Sequence, residues 1–167
     1  MKFNSKDIAL TAVFAALYAV LVIALAGVSF QLVQVRIADA LIPLSIVFGW
    51  PAILGVTIGG AVANMASPMP SVITDVTLGA MANLVASIVA WKFGLWKTKR
   101  SVGEFLGCIA ATVVITFVVG TYLAVLTEME LWVWWIGIGA GSVISITILG
   151  YALVQIMKRL TSKTSAT

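Results

Sequence analysis

Residues 40–66 read ALIPLSIVFGWPAILGVTIGGAVANMA, and the number of times the chain turns within them decides the architecture. The stretch is almost wholly apolar, but Gly49-Trp50-Pro51 interrupts it. Proline is accepted in the first turn of a helix, where its missing N–H costs nothing, and it pushes the preceding residue away from helical geometry. The spacing therefore predicts two rather short helices, 40–49 and 52–66, joined by a tight turn. A single helix kinked at Pro51 is the alternative, and the charges elsewhere in the chain distinguish the two.

On either side lie further apolar runs. The 167-residue chain is 62% hydrophobic and 10% charged, whereas a soluble domain carries roughly 25% charged residues. That leaves too little polar surface to face water on all sides, so a bilayer must act as the solvent. A helix crossing ~30 Å of hydrocarbon needs about 20 residues, and six such helices nearly exhaust the chain. The run 8–28 is too long and too rich in alanine for a signal peptide and reads as the first helix. A polar patch from Ser29 to Asp39 follows, and Ser67-Pro68-Met69-Pro70-Ser71 marks a loop. Helices are then expected over 75–91, 102–126 and 132–157, with a frayed polar tail over 158–167. The expectation is an all-α integral membrane protein, one transmembrane domain spanning 1–167 and built as a six-transmembrane-helix bundle.

The bases support six spans over five. Lys2, Lys6, Lys92, Lys97, Lys99, Arg100, Lys158, Arg159 and Lys163 are nine of the ten Lys and Arg residues. With six spans all nine fall on one side, which the positive-inside rule marks as the cytoplasm. Both termini are then cytoplasmic, and Arg36, Asp39, Asp75, Glu128 and Glu130 lie outside. One kinked span at Trp50-Pro51 would put the C-terminal bases opposite the N-terminal ones.

Composition also narrows the chemistry. There is one cysteine, Cys108, and no histidine, so an intrachain disulfide, a Cys/His zinc cage and a histidine-based triad are excluded. Cys108 sits in an apolar run and reads as a packing residue. No Gly-x-x-x-x-Gly-Lys loop is present, so the chain lacks that means of using ATP. The net charge of +4 reflects topology rather than nucleic-acid binding, and no metal or cofactor is expected.

The candidate functional groups gather at the predicted external helix ends. Arg36, Asp39, Asn64, Asp75, Glu128 and the cluster Trp132, Trp134 and Trp135 all lie there. Trp132 reads as an interfacial anchor; Arg36 and Asp39 could form an ordinary ion pair, and Glu128 and Glu130 could simply be solvated. Polar residues within the membrane are costly, about 2.5–3.5 kcal/mol for a central Asp, and so usually face a cavity or a partner. Asp75, Gly79 and Asn83 recur every four residues and share one helix stripe. Asp75 alone could be a helix N-cap, and Asn83 could serve a helix–helix hydrogen bond.

Small residues form the other pattern. Gly55, Gly59, Gly60 and Ala63 suit close packing inside the bundle, while Ala12, Ala16 and Ala19 on the first helix could pack internally or dock another membrane protein.

The stretch Val35-Arg36-Ile37-Ala38-Asp39-Ala40-Leu41-Ile42-Pro43, followed by Gly55, Gly59, Ala63-Asn64 and Asp75-Val76-Thr77-Leu78-Gly79, resembles the queuosine-precursor transporter family, QueT. That family belongs to the substrate-binding S components of energy-coupling factor (ECF) transporters. The resemblance covers the second to fourth helices, about a third of the chain. It implies a six-helix bundle of the ECF S-component type, without catalysis of its own, that takes a deazaguanine precursor from outside the cell. Its implied partners are a transmembrane coupling subunit and two ATPase subunits, and the Ala12, Ala16 and Ala19 surface resembles the docking motif for the coupling subunit. The implied solute contacts are Asp39, Asp75, Asn64 or Asn83, with Trp134 or Trp135 stacking on the rings and Arg36 either touching the solute or supporting Asp39; Glu128 is a further candidate on the same face. Rival readings are an S component for another vitamin or heterocycle, a small membrane enzyme using Asp39, Asp75 and Glu128, and a purely structural subunit.

Overall fold

The computed structural model describes residues 4–31, 33–96 and 100–164. The expected bases Lys2, Lys97 and Lys99, and the end of the expected tail at 165–167, lie outside the described residues. The described chain is helical, with no strand. Its elements are α1 (Ser5–Ala24), a short turn α2 (Ala26–Ser29), α3 (Ile37–Phe48), α4 (Trp50–Asn64), α5 (Val72–Gly94), α6 (Arg100–Thr127) and α7. The last is continuous, an α-helix over Leu131–Ser142, a π-helix over Val143–Gly150 and an α-helix again over Tyr151–Thr164. Four helices, α1, α5, α6 and α7, are long and apolar enough to cross a membrane, whereas α3 and α4 are apolar but shorter.

The helix ends follow from local chemistry. At the start of α1, Asn4 accepts from the Asp7 N–H at 2.9 Å and the Asp7 carboxylate accepts from the Asn4 N–H at 3.1 Å. This reciprocal pair satisfies two otherwise free donors and starts the helix ahead of its apolar run. The turn at 49–51 is present, with Gly49 at φ 62° between α3 and α4. Its N–H bonds the Ser45 carbonyl at 2.8 Å and its carbonyl accepts from Ile53 at 3.1 Å, so one residue closes α3 and opens α4. Only glycine adopts this positive φ at low cost, and Pro51 then sits in the first turn of α4. The stretch thus forms two helices, not one kinked helix. At the C-terminus the helix continues through Lys158–Thr164, where a frayed tail was expected.

Helix α3 sits in the middle of the bundle. Its first eight residues, Ile37–Leu44, form 3₁₀ turns, and Ala38 through Ser45 are all buried. It packs against α1, α4, α5, α6 and α7. Pro43 lies inside this segment and cannot donate to the backbone, which weakens any α-helical ladder there. Runs of 3₁₀ helix beyond 3–4 residues are uncommon, and surrounding packing holds this one. Gly150 of α7 leaves room for Pro43, because a Cβ would stand 2.8 Å from its Cγ. On the other side of the bundle α1 and α4 run parallel. A Cβ on Gly55 would stand 2.3 Å from the Phe14 Cβ, and one on Gly59 would stand 2.6 Å from the Ala15 carbonyl. In lipid there is little hydrophobic drive between helices, so this close backbone approach supplies the contact.

Outside the packed interior the surface is apolar. Ile8, Val20, Ile73, Ile136 and Val125 are all at least 63% exposed. A water-facing surface of that kind would aggregate; a bilayer solvates it. Together with the four long helices, this makes the chain a multi-pass membrane protein.

Candidate functional site

Polar groups are concentrated where α1, α4 and α6 end and α3 and α5 begin. Helix α5 is capped by Ser71, whose hydroxyl accepts from the Thr74 N–H at 3.3 Å. Asp75 therefore lies a turn inside the helix, and the capping role is already filled. Its carboxylate turns inward, 2% exposed, and Oδ1 accepts a hydrogen bond of 2.6 Å from the Tyr122 hydroxyl of α6. Asn64, at the end of α4 and fully buried, donates from Nδ2 to the Asp75 carbonyl at 2.9 Å. Gly79, one turn further along α5, makes this corner possible. A Cβ there would stand 2.3 Å from Asn64 Nδ2 and 3.4 Å from the Tyr122 hydroxyl.

A second corner forms around α3. Asp39 is buried, and its Oδ1 accepts from the Tyr18 hydroxyl of α1. Arg36, 6% exposed, precedes α3 and lies over the Phe30 ring, 5.3 Å from its centroid. Tyr18, Asp39 and Tyr122 are all near enough to couple to it electrostatically. Arg36 thus lies near a tyrosine of each corner, which joins the two corners into one buried cluster. Asn83, deeper in the bundle, donates from Nδ2 to the Val56 carbonyl of α4 at 3.1 Å, and Gly60 leaves the space its amide fills.

Three buried atoms of this cluster have no hydrogen-bond partner in the protein: Arg36 Nε, Asn64 Oδ1 and Asp75 Oδ2. Buried polar groups are paired in well over nine cases in ten, and leaving one unpaired costs about 1–3 kcal/mol. A donor and two acceptors unpaired in one cluster form a complementary set for a small polar molecule.

The structure therefore brings together Arg36, Asp39, Asn64, Asp75 and Asn83. Glu128, by contrast, is exposed and at φ 54°, the left-handed residue ending α6. Met129 N–H reaches back to the Ala124 carbonyl at 3.2 Å, which completes a Schellman cap. Trp134 is buried and bonds Thr127 Oγ1 through its indole N–H at 2.8 Å. Trp135 bonds Thr121 Oγ1 at 3.1 Å and packs edge-on against Phe117, on the α6 side. On α1, Ala12 and Ala16 are exposed and Ala19 is buried. Sequence reasoning missed Tyr18 and Tyr122. Their signal was a phenol in the middle of an otherwise apolar helix, a group that needs a hydrogen-bond partner once buried.

At the opposite end a different polar group is buried. Glu104, fully buried on α6, pairs with Lys158 Nζ at 2.5 Å and accepts from Gln155 Nε2 at 2.9 Å. It borders a cavity of about 660 Å³ that Trp96, Thr161 and Ser162 also line. Among the described residues no group of three His, Cys, Asp or Glu is placed to hold a metal ion.

A family model described as QueT transporter matches residues 8–159. No curated protein and no solved structure matches the chain.

Proposed function

The chain belongs to the QueT transporter family, and we propose that it is the solute-binding S component of an ECF-type uptake system, capturing a deazaguanine precursor of queuosine from outside the cell. The observation that carries this reading is the buried cluster with Arg36 Nε, Asn64 Oδ1 and Asp75 Oδ2 unpaired. A deazaguanine presents a carbonyl acceptor, a ring N–H and an amino group along one edge. The carbonyl suits Arg36, and the two donors suit Asn64 and Asp75. Asp39 holds Arg36 electrostatically and Tyr18 holds Asp39, while Asn83 supports the floor through α4.

In this reading α3 and α4 also cross the membrane, giving six passes. The parallel run of α1 and α4, and the reversal at Gly49, support alternate passes between the two ends. Nine of the ten bases then lie at the cytoplasmic end with both termini, and the polar cluster lies toward the outer end. The sequence has no Gly-x-x-x-x-Gly-Lys loop, and in this reading a coupling subunit and two ATPases supply the energy. The exposed Ala12 edges an apolar groove with Ile8, Thr11, Ala15, Leu54 and Ile58, and Ala16 is exposed on the same helix, a surface suited to close docking of a partner helix.

The test is equilibrium binding of deazaguanine precursors to the purified protein. Binding that weakens at least about tenfold in Asp75→Asn supports the reading. No deazaguanine binding, with tight binding of another small heterocycle, replaces the solute while keeping the class.

A further inference from the structure

Asp75 and Asn64 form an unusual pair of acceptors, and the reason lies in Tyr122. A free carboxylate can receive two parallel N–H donors on its two oxygens, the grip by which it usually holds a ring N–H and its neighbouring amino group. Here the Tyr122 hydroxyl bonds Oδ1 at 2.6 Å and fixes the plane of the carboxylate, with Oδ2 left unpaired. Beside it the Asn64 amide is fixed in orientation, because Nδ2 donates to the Asp75 carbonyl at 2.9 Å. That leaves Asn64 Oδ1 as a second unpaired acceptor, and Gly79 holds amide and phenol together at the same corner.

We infer that Tyr122 is a specificity-determining positioning residue: by fixing the orientation of Asp75 through Oδ1 it divides a solute's two neighbouring N–H donors between Asp75 Oδ2 and Asn64 Oδ1. This rests on the solute proposed above and adds which residue sets the hydrogen-bonding pattern. Tyr122 does not itself touch the solute. It acts through the orientation of Asp75, held by the 2.6 Å bond from α6. Without the hydroxyl, the carboxylate is free to turn and take both donors, and Asn64 Oδ1 becomes dispensable.

A double-mutant cycle tests this with 7-deazaguanine as the probe. Asn64→Leu alone is expected to weaken binding by about tenfold or more, whereas in the Tyr122→Phe background it costs less than about threefold. Equal losses in both backgrounds overturn the inference, because a purely structural Tyr122 would give additive effects. Should Tyr122→Phe not purify folded, the wild-type protein and Asn64→Leu are compared on 7-deazaguanine and 7-deazahypoxanthine, which lacks the amino group. Losing the amino group is then expected to cost about tenfold in the wild type and nothing further in Asn64→Leu; the same loss in both overturns the inference. A wild-type protein that binds neither ring overturns the solute assignment itself, a result distinct from additivity in a protein that binds.

Discussion

At the scale of single residues, the same side-chain type does different work according to where the backbone leaves it. Asp75 and Glu128 are both acids near helix ends. Asp75 is 2% exposed, with one oxygen bonded and the other unpaired, while Glu128 is exposed and sits in the left-handed region at φ 54°. That conformation is costly for any residue with a Cβ and nearly free for glycine. Glu128→Gly is therefore expected to raise the thermal unfolding midpoint, by the equivalent of about 0.5–1 kcal/mol, with solute affinity unchanged. A loss of affinity would return Glu128 to the site. The sequence already marked Arg36, Asp39, Asn64 and Asp75, since polar residues within apolar helices need a reason. It did not mark Tyr18 and Tyr122, because a tyrosine in a membrane helix is as ordinary as a packing residue. Only the fold shows that each phenol, 21 and 47 residues from its partner, completes a carboxylate.

At the scale of elements, hydropathy and proline placement revealed the helices but not their internal geometry. The Gly49-Trp50-Pro51 break was legible because it rests on local rules that no packing can override. The 3₁₀ turns of α3 and the π segment of α7 were not. Both are surrounded or faced by other helices, and an element apolar on every side carries no periodicity to read. The two meet at Gly150, which leaves room for Pro43, and Gly141, just before the π segment, makes a second close approach. A Cβ on Gly141 would lie 1.9 Å from the Gln34 carbonyl, and this strand of backbone leads directly into Arg36. Gly141→Ala is expected to push the 33–36 segment away and weaken solute binding at least about tenfold, while circular dichroism shows unchanged helix content. Unchanged affinity would mean that Arg36 is not held in place by this contact.

For the whole molecule the organising feature is the contrast between its ends. One end buries a polar cluster with three unpaired atoms; the other holds the buried Glu104 paired with Lys158. The grouping of the bases into the N-terminal, 92–100 and 158–163 stretches is legible in the chain as written, and six passes would put all three at one end. The Glu104–Lys158 pair is not legible there, since the two residues are 54 apart and only the packing of α6 on α7 joins them. If the exposed Ala12 and Ala16 face docks the coupling subunit, Ala16→Leu is expected to abolish co-purification with that subunit and its ATPases while solute binding to the isolated protein stays intact. Retention of the complex would exclude this face as the docking surface.

The central claim is that a solute occupies the Arg36, Asn64 and Asp75 cluster, and mass spectrometry of ligand carried through purification tests it most directly. The account predicts a deazaguanine of the queuosine pathway released from the wild-type protein and absent from Asp75→Leu purified in parallel. Equal recovery of that ligand from both proteins would contradict it.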